Sequence, residues 1–275
     1  MGQKNSAGSS TPKLLYKFYK FNSESLDSLV ADYLWCSKPE YLNDPFEFKP
    51  PFKMTGYDEA DMKKFLKLIR EQGGVEAIKS FKREFPNWKS TPSILDDYLS
   101  NKLKKLGEKA KEVAACCFTS TYDNPVMLAH YCDNYTGFMV EYKTGSLAGA
   151  GDFLKVGYYP KGKEVNLLDE FYGDKVFSAL AFKREEWAYE NEYRLLVTSQ
   201  NFRAEAGVRL GVDPLAYSKI IVPEQAPDSV KRTLFALADS FEPVVPLYEC
   251  YADSALEFKL RELPKSDLPA EMVML

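Results

Sequence analysis

The run Val113-Ala114-Ala115-Cys116-Cys117-Phe118-Thr119 constrains this chain more than any other stretch. It is apolar without alternation, and a short run of that kind reads as a strand buried on both faces rather than one that wets a side. With 275 residues, 45% hydrophobic and 14% aromatic, the chain can bury one sizeable core around such a strand.

Elements on either side follow from local chemistry. Leu14 to Phe21 is aromatic-rich and predicts a first strand, and Asn22 or Ser23 caps a helix carrying Leu26, Leu29 and Val30. Leu34 to Ser37 predicts a second strand, ended by the turn Asn43-Asp44-Pro45. Residues 53–112 change character. Asp58 caps a helix with Met62, Phe65, Leu66 and Ile69 on one face, Gly73-Gly74 stops it, and Leu95, Leu99, Leu103 and Leu106 mark another. Asn124-Pro125 opens a short helix over Val126 to Tyr131, and Gly137 to Tyr142 predicts a strand. Further strands are expected at Phe153–Tyr159, Tyr193–Thr198, Lys219–Val222 and Val244–Tyr251, with a helix over Asp228–Phe241. Strands outnumber helices outside the insertion and do not alternate with them, so an α+β domain is expected over a doubly wound sheet. The division is a polar leader at 1–12, one α+β domain at 13–263 with a helical insertion at 53–112, and a tail at 264–275.

Composition narrows the function classes. No apolar run is long enough to cross a bilayer and the first residues lack a signal segment, so a cytoplasmic protein with no membrane partner is expected. Five cysteines without C-x-x-C spacing and a single histidine argue for free thiols and against zinc. The insertion holds fourteen Lys and Arg against ten Asp and Glu, leaving 22 against 30 elsewhere. Lys102, Lys105 and Lys109 could therefore form a basic stripe for phosphates, or an ordinary solvated helix face.

The most informative polar stretch is Trp187 to Val197. As a strand, it would put Glu190, Glu192 and Arg194 on one face and Tyr189, Asn191, Tyr193 and Leu195 on the other. Two adjacent carboxylates and a guanidinium are either an exposed ion pair or an acid pair of shifted pKa at a functional site. His130 could act as a base or donor, Asn43, Asp44 and Glu47 follow a strand, and Ser37 and Ser120 end strands. No phosphate loop, dinucleotide fingerprint or nucleophile elbow is present.

Taken in order, Leu15-Tyr16-Lys17-Phe18, Leu34-Trp35-Cys36-Ser37 with Asn43-Asp44-Pro45-Phe46-Glu47, Cys117-Phe118-Thr119-Ser120, Met127-Leu128-Ala129-His130-Tyr131 with Gly137-Phe138, and Trp187 to Arg194 resemble one bacterial family, domain of unknown function 2971. The resemblance runs from about residue 14 to about 222. Leu128 stands where members usually carry tryptophan, and Tyr135 where a second histidine is frequent. That family resembles, at a distance, the ADP-ribosyltransferase-like toxins and abortive-infection proteins. The likeness implies a split mixed sheet, NAD as substrate, and a role in bacterial phage defence or competition. It implies a catalytic carboxylate at Glu192 or Glu190. The cofactor contacts it implies are Tyr16, Lys17, Ser37, Asn43, Asp44, Ser120, His130, Tyr131, Trp187 and Arg194. Lys17 would take the first ribose-contacting position, where histidine or arginine is expected. A nucleic-acid or protein acceptor and an antitoxin or immunity protein would be partners. Two other readings remain: a non-enzymatic nucleic-acid-binding or sensor module using residues 53–112, and a nuclease holding Mg²⁺ with Asp44, Glu47, Glu190 and Glu192.

Overall fold

The computed structural model of the protein describes residues 11–46, 51–89, 91, 93–147, 151–166, 168, 181–198, 206–264 and 266. Its organising element is the apolar run itself. β3 (Val113–Thr119) is buried at six of its seven positions. Ala114, Cys116 and Phe118 join the larger core on one face, while Val113 and Ala115 join a second core beneath the helical insertion.

One edge of β3 pairs antiparallel with β8 (Glu192–Thr198) along its whole length, from Val113↔Thr198 to Thr119↔Glu192. Its other edge is shared. β1 (Leu14–Tyr19) meets it at Tyr16↔Thr119, and β2 (Tyr33–Ser37) meets it at Ser37↔Ala115. Two strands that touch the same edge at different points must diverge between them, so the sheet opens there. Beyond β1 run β4 (Phe138–Lys143), β10 (Tyr217–Pro223), β11 (Leu247–Ala252) and β12 (Phe258–Glu262). Beyond β2 lies β9 (Gly207–Gly211), and β8 carries β5 (Asp152–Lys155) on its far side. The ladders are antiparallel except β10–β11, so the ten-stranded sheet is mixed and the fold is α+β, as expected. A separate parallel pair joins β6 (Gly157–Tyr159) to β7 (Phe182–Arg184).

Helices cover both faces. The helix Asp228–Ser240 buries Val230, Leu234 and Ala238 against the larger core. Within 53–112, Asp58 forms a capping box with Asp61 and opens the helix Glu59–Glu84. Met62, Phe65 and Phe81 pack there with Leu95 and Leu99 of the helix Ser93–Ala110. Pro125–Tyr131 covers a third cluster of Leu128, Cys132, Met139, Ile221 and Cys250.

Gly73-Gly74 does interrupt the insertion helix, as expected, since Gly74 leaves the helical range (φ 65°, ψ −161°), and a second helical stretch follows whose Phe81 packs edge-on against Phe65 at 5.0 Å. Several expectations need correction. Asn22 caps Ser23–Val30, yet Val30 is exposed, since Ser28 and Leu29 face the sheet. Phe153–Tyr159 divides at Val156, whose amide bonds Glu192 O at 2.9 Å, so β5 and β6 pair with different partners. The edge strands β9 and β12 carry no strong sequence signal. Glu47, residues 1–10 of the leader, and the tail apart from 264 and 266 lie outside the described residues.

Gly137 fixes the junction between the helix Pro125–Tyr131 and β4, because a Cβ there would sit 2.1 Å from Tyr19 O and 2.9 Å from Cys132 Cα. Gly137→Ala should destabilise the protein by about 3 kcal/mol through forced backbone separation, read as a lowered thermal midpoint. An unchanged midpoint would show that this end of the β1–β4 ladder relaxes freely.

Candidate functional site

The divergence of β1 from β2 leaves a cleft of about 630 Å³, the size of a small-molecule site. Tyr16, Lys17 and Tyr19 line it from β1, Ser37 from β2, Cys117 and Thr119 from β3, and Asn43 from the turn after β2. Tyr131, Lys183, Glu190 and Glu192 close its far wall.

The two glutamates reach that wall by a route that strand alternation does not describe. Glu185–Glu190 is a 3-10 helix, Asn191 adopts the left-handed conformation (φ 43°, ψ 47°), and only Glu192 begins β8. Asparagine tolerates that backbone, so the reversal is local and cheap. The expected continuous strand from Trp187 is thus corrected, while Glu192 and Arg194 do share a face of β8.

Arg194 is fully buried and binds Glu192 bidentately, Nε to Oε1 at 2.8 Å and Nη2 to Oε2 at 3.0 Å. Lys183, from β7, donates to Glu190 Oε2 at 2.7 Å and lies 3.5 Å from Glu192 Oε2, with Trp187 4.6 Å away across its ammonium. Two carboxylates and two cations balance. Tyr131 donates to Glu190 Oε1 at 2.5 Å and accepts from Asn43 Nδ2 at 2.5 Å. Tyr158 accepts the amide of Glu192 at 2.9 Å.

This environment pushes the two acids apart. Burial opposes ionisation of Glu192, but Arg194 overcomes it and holds the carboxyl at about 2. Glu190 moves upward, because burial outweighs Lys183 and the charge of Glu192 adds to it. The two acids are therefore driven apart in acidity, an arrangement that acid–base chemistry uses. Burial also raises the Tyr131 phenol, which keeps it a neutral donor.

Of the other expected contacts, Tyr16, Lys17, Ser37, Asn43 and Tyr131 line the cleft. Asp44, Ser120, His130, Trp187 and Arg194 lie outside its lining. Asp44 is buried and caps its own turn through the Phe46 amide at 2.9 Å. His130 Nδ1 pairs with Tyr189 OH at 3.1 Å, which in turn flanks the helix cap Asn124. Trp187 acts through Lys183, and Arg194 through Glu192. Lys183 itself was not expected: an isolated lysine in Phe-Lys-Arg carries no periodic or motif signal. It also occupies the space between Glu190 and Glu192 that a metal bridge would need, and among the described residues no group of acids, His and Cys converges as a metal site. In the insertion, Lys102 packs on Tyr98 and Lys105 borders a groove shared with Glu84, as a solvated helix face would. The side chain of Lys109 lies outside the described residues.

Comparison of the chain with protein-family models, with curated proteins and with solved structures gives no match. No helix of the described residues is long and apolar enough to cross a membrane.

Removing one member of a buried, balanced cluster leaves an uncompensated charge, so Arg194→Met should cost about 3–5 kcal/mol of stability in urea unfolding. Because Glu192 sits at about 2 when folded against an ordinary 4.5, it contributes stability that is complete above 4.5 and is lost as pH falls toward 2. Unfolding free energy measured across that window should decline, and Glu192→Gln should flatten the decline. Equal slopes in both proteins would mean that Arg194 does not select the ionised form.

Proposed function

We propose that the cleft splits the nicotinamide–ribose bond of NAD, as an ADP-ribosyltransferase-like or NAD-consuming enzyme of a bacterial defence or competition system. The observation that carries this reading is the pair Glu190 and Glu192, brought to one wall of a cleft in a divided sheet with their acidities driven in opposite directions. The resemblance to domain of unknown function 2971, and through it to the ADP-ribosyltransferase-like toxins, supports the choice of NAD over other glycosides.

The chemistry follows from charge. As the C1′–N bond breaks, its electron pair passes to the ring nitrogen and neutral nicotinamide leaves, while C1′ acquires oxocarbenium character. Glu192, held ionised by Arg194, supplies fixed negative charge beside that carbon. An acceptor hydroxyl, or water, adds to C1′ and passes its proton to Glu190, the acid whose pKa is raised. Tyr131 and Lys183 hold Glu190 in place during the transfer. The acceptor would be a nucleic acid or a protein, with an antitoxin or immunity protein restraining the enzyme.

Incubation with NAD should release nicotinamide, followed by chromatography. Glu192→Gln should lower the rate by about 100-fold, the scale of a lost electrostatic stabiliser. Since Glu190 must be ionised to accept a proton, the rate should fall on the acid side of a pKa above the ordinary 4.5, and that limb should disappear in Glu190→Gln. A folded protein that leaves NAD intact in the presence of candidate acceptors overturns the proposal.

A further inference from the structure

Two thiols of the larger core and a lysine meet at the fork where β1 and β2 leave β3. Ser37 pairs with Ala115 across the β2–β3 ladder, and one step toward the opening Cys36 comes opposite Cys116. Both thiols are free and buried in the same cluster. They hydrogen-bond one another, and Cys116 also hydrogen-bonds Lys17 of β1. Lys17 Nζ donates in turn to the Cys117 carbonyl at 3.4 Å.

These surroundings make the two sulfurs unequal. Burial opposes ionisation of Cys116, but its hydrogen bond with Cys36 and the charge of Lys17 outweigh it and bring the thiol down to about 7. Cys36 moves the other way, because its hydrogen bond with Cys116 favours the protonated form and burial adds to it. Burial works against the Lys17 ammonium as well, yet the sulfur of Cys116 above all, with Tyr19, Cys117 and Cys36, holds it above its ordinary value. Near neutral pH a thiolate paired with an ammonium thus accepts a hydrogen bond from a second thiol. The thiolate is the nucleophilic form of cysteine, and a neighbouring thiol resolves its oxidised product.

Geometry allows the two sulfurs to join. Directly opposed residues of an antiparallel pair have Cα atoms about 4.5–5.5 Å apart, within the span of about 4.4–6.8 Å that a disulfide bridges. Burial of both thiols admits only a small reagent, while Lys17 and Cys117 beside them line the cleft.

We propose that Cys36 and Cys116 form a modification site for hydrogen peroxide, closing to a disulfide that fastens β2 to β3 at the fork. The Cys116 thiolate attacks one peroxide oxygen, the O–O bond breaks, and the departing hydroxide takes a proton from solvent to become water. Cys116 is left as a sulfenic acid. The Cys36 sulfur then attacks it, forming the S–S bond, while the sulfenic hydroxyl leaves with the Cys36 proton as a second water. Together the sulfurs lose two electrons, which the peroxide gains. Lys17 loses its thiolate partner and is left against the Cys117 carbonyl and the rings of Tyr19 and Phe118, 5.5 and 5.9 Å from its Nζ. None of this depends on the reaction proposed for the cleft.

The test treats the full chain with a small excess of hydrogen peroxide at neutral pH, blocks the remaining thiols under unfolding conditions and maps the peptides by mass spectrometry. Peptides carrying Cys36 and Cys116 should be joined, two hydrogens lighter than their sum, and dithiothreitol should separate them. Cys132 and Cys250 should be recovered as thiols. Cys117→Ser should leave the link intact, and Cys116→Ser should abolish it. Lys17→Gln should slow its formation by about tenfold, as the thiolate fraction falls toward that of an ordinary cysteine, and Lys17→Arg should restore most of the rate. Should the Lys17 variants fail to fold, the pH profile of the wild-type rate serves instead: it should level off above a midpoint near 7, and a rate that levels only above the ordinary cysteine value of about 8.5 overturns the pairing with Lys17. Oxidation confined to Cys117, a sulfonic acid on Cys116 without a link, or a link that forms only in unfolded protein overturns the proposal.

Discussion

Arg194, fully buried in β8 and paired through two hydrogen bonds with Glu192, is the interaction on which the site depends. A guanidinium at that depth is tolerable only with a carboxylate in fixed geometry, because desolvation of either ion alone costs several kcal/mol. Once the pair is fixed, the rest of the wall follows. Glu190 enters next to an acid held strongly ionised, Lys183 lies between the two acids and compensates, and Tyr131 donates to the other oxygen of Glu190. The cluster is neutral overall and unequal within, which is what separates the two acids chemically.

The cleft in front of that wall has a topological cause. β3 offers one edge to two strands, and β1 and β2 touch it at different points. Where a ladder is interrupted, backbone groups lose their partners and must find others. The Lys17 ammonium at the Cys117 carbonyl is one such substitute. The opening and the lysine at it share an origin, and Lys17, Glu190 and Glu192 all line it.

Much of this was legible in the residues. The unbroken apolar run at Val113–Thr119 announced a central strand, and the two cores that meet on it confirm burial on both faces. Asn22, Asp58 and Asn124 each marked the start of the helix they cap. The acids and arginine of the site were visible by spacing, because Glu192 and Arg194 do alternate along β8. Glu190 was placed correctly for the wrong reason. It arrives from a 3-10 turn, and the left-handed Asn191 sets its direction.

Sequence by itself determined the central buried strand, the helical insertion, the helix caps and the shared face of Glu192 and Arg194, since each depends on residues close together in the chain. Only the tertiary structure decided that Lys183 joins Glu190 to Glu192, that Asn43 and Tyr131 complete the wall, and that Asp44, Ser120 and His130 stand apart from the cleft. The Asn43 and Tyr131 contacts link residues 59 and 88 positions apart, and the energies of the whole cluster arise from burial and a lowered local dielectric, which no spacing along the chain encodes.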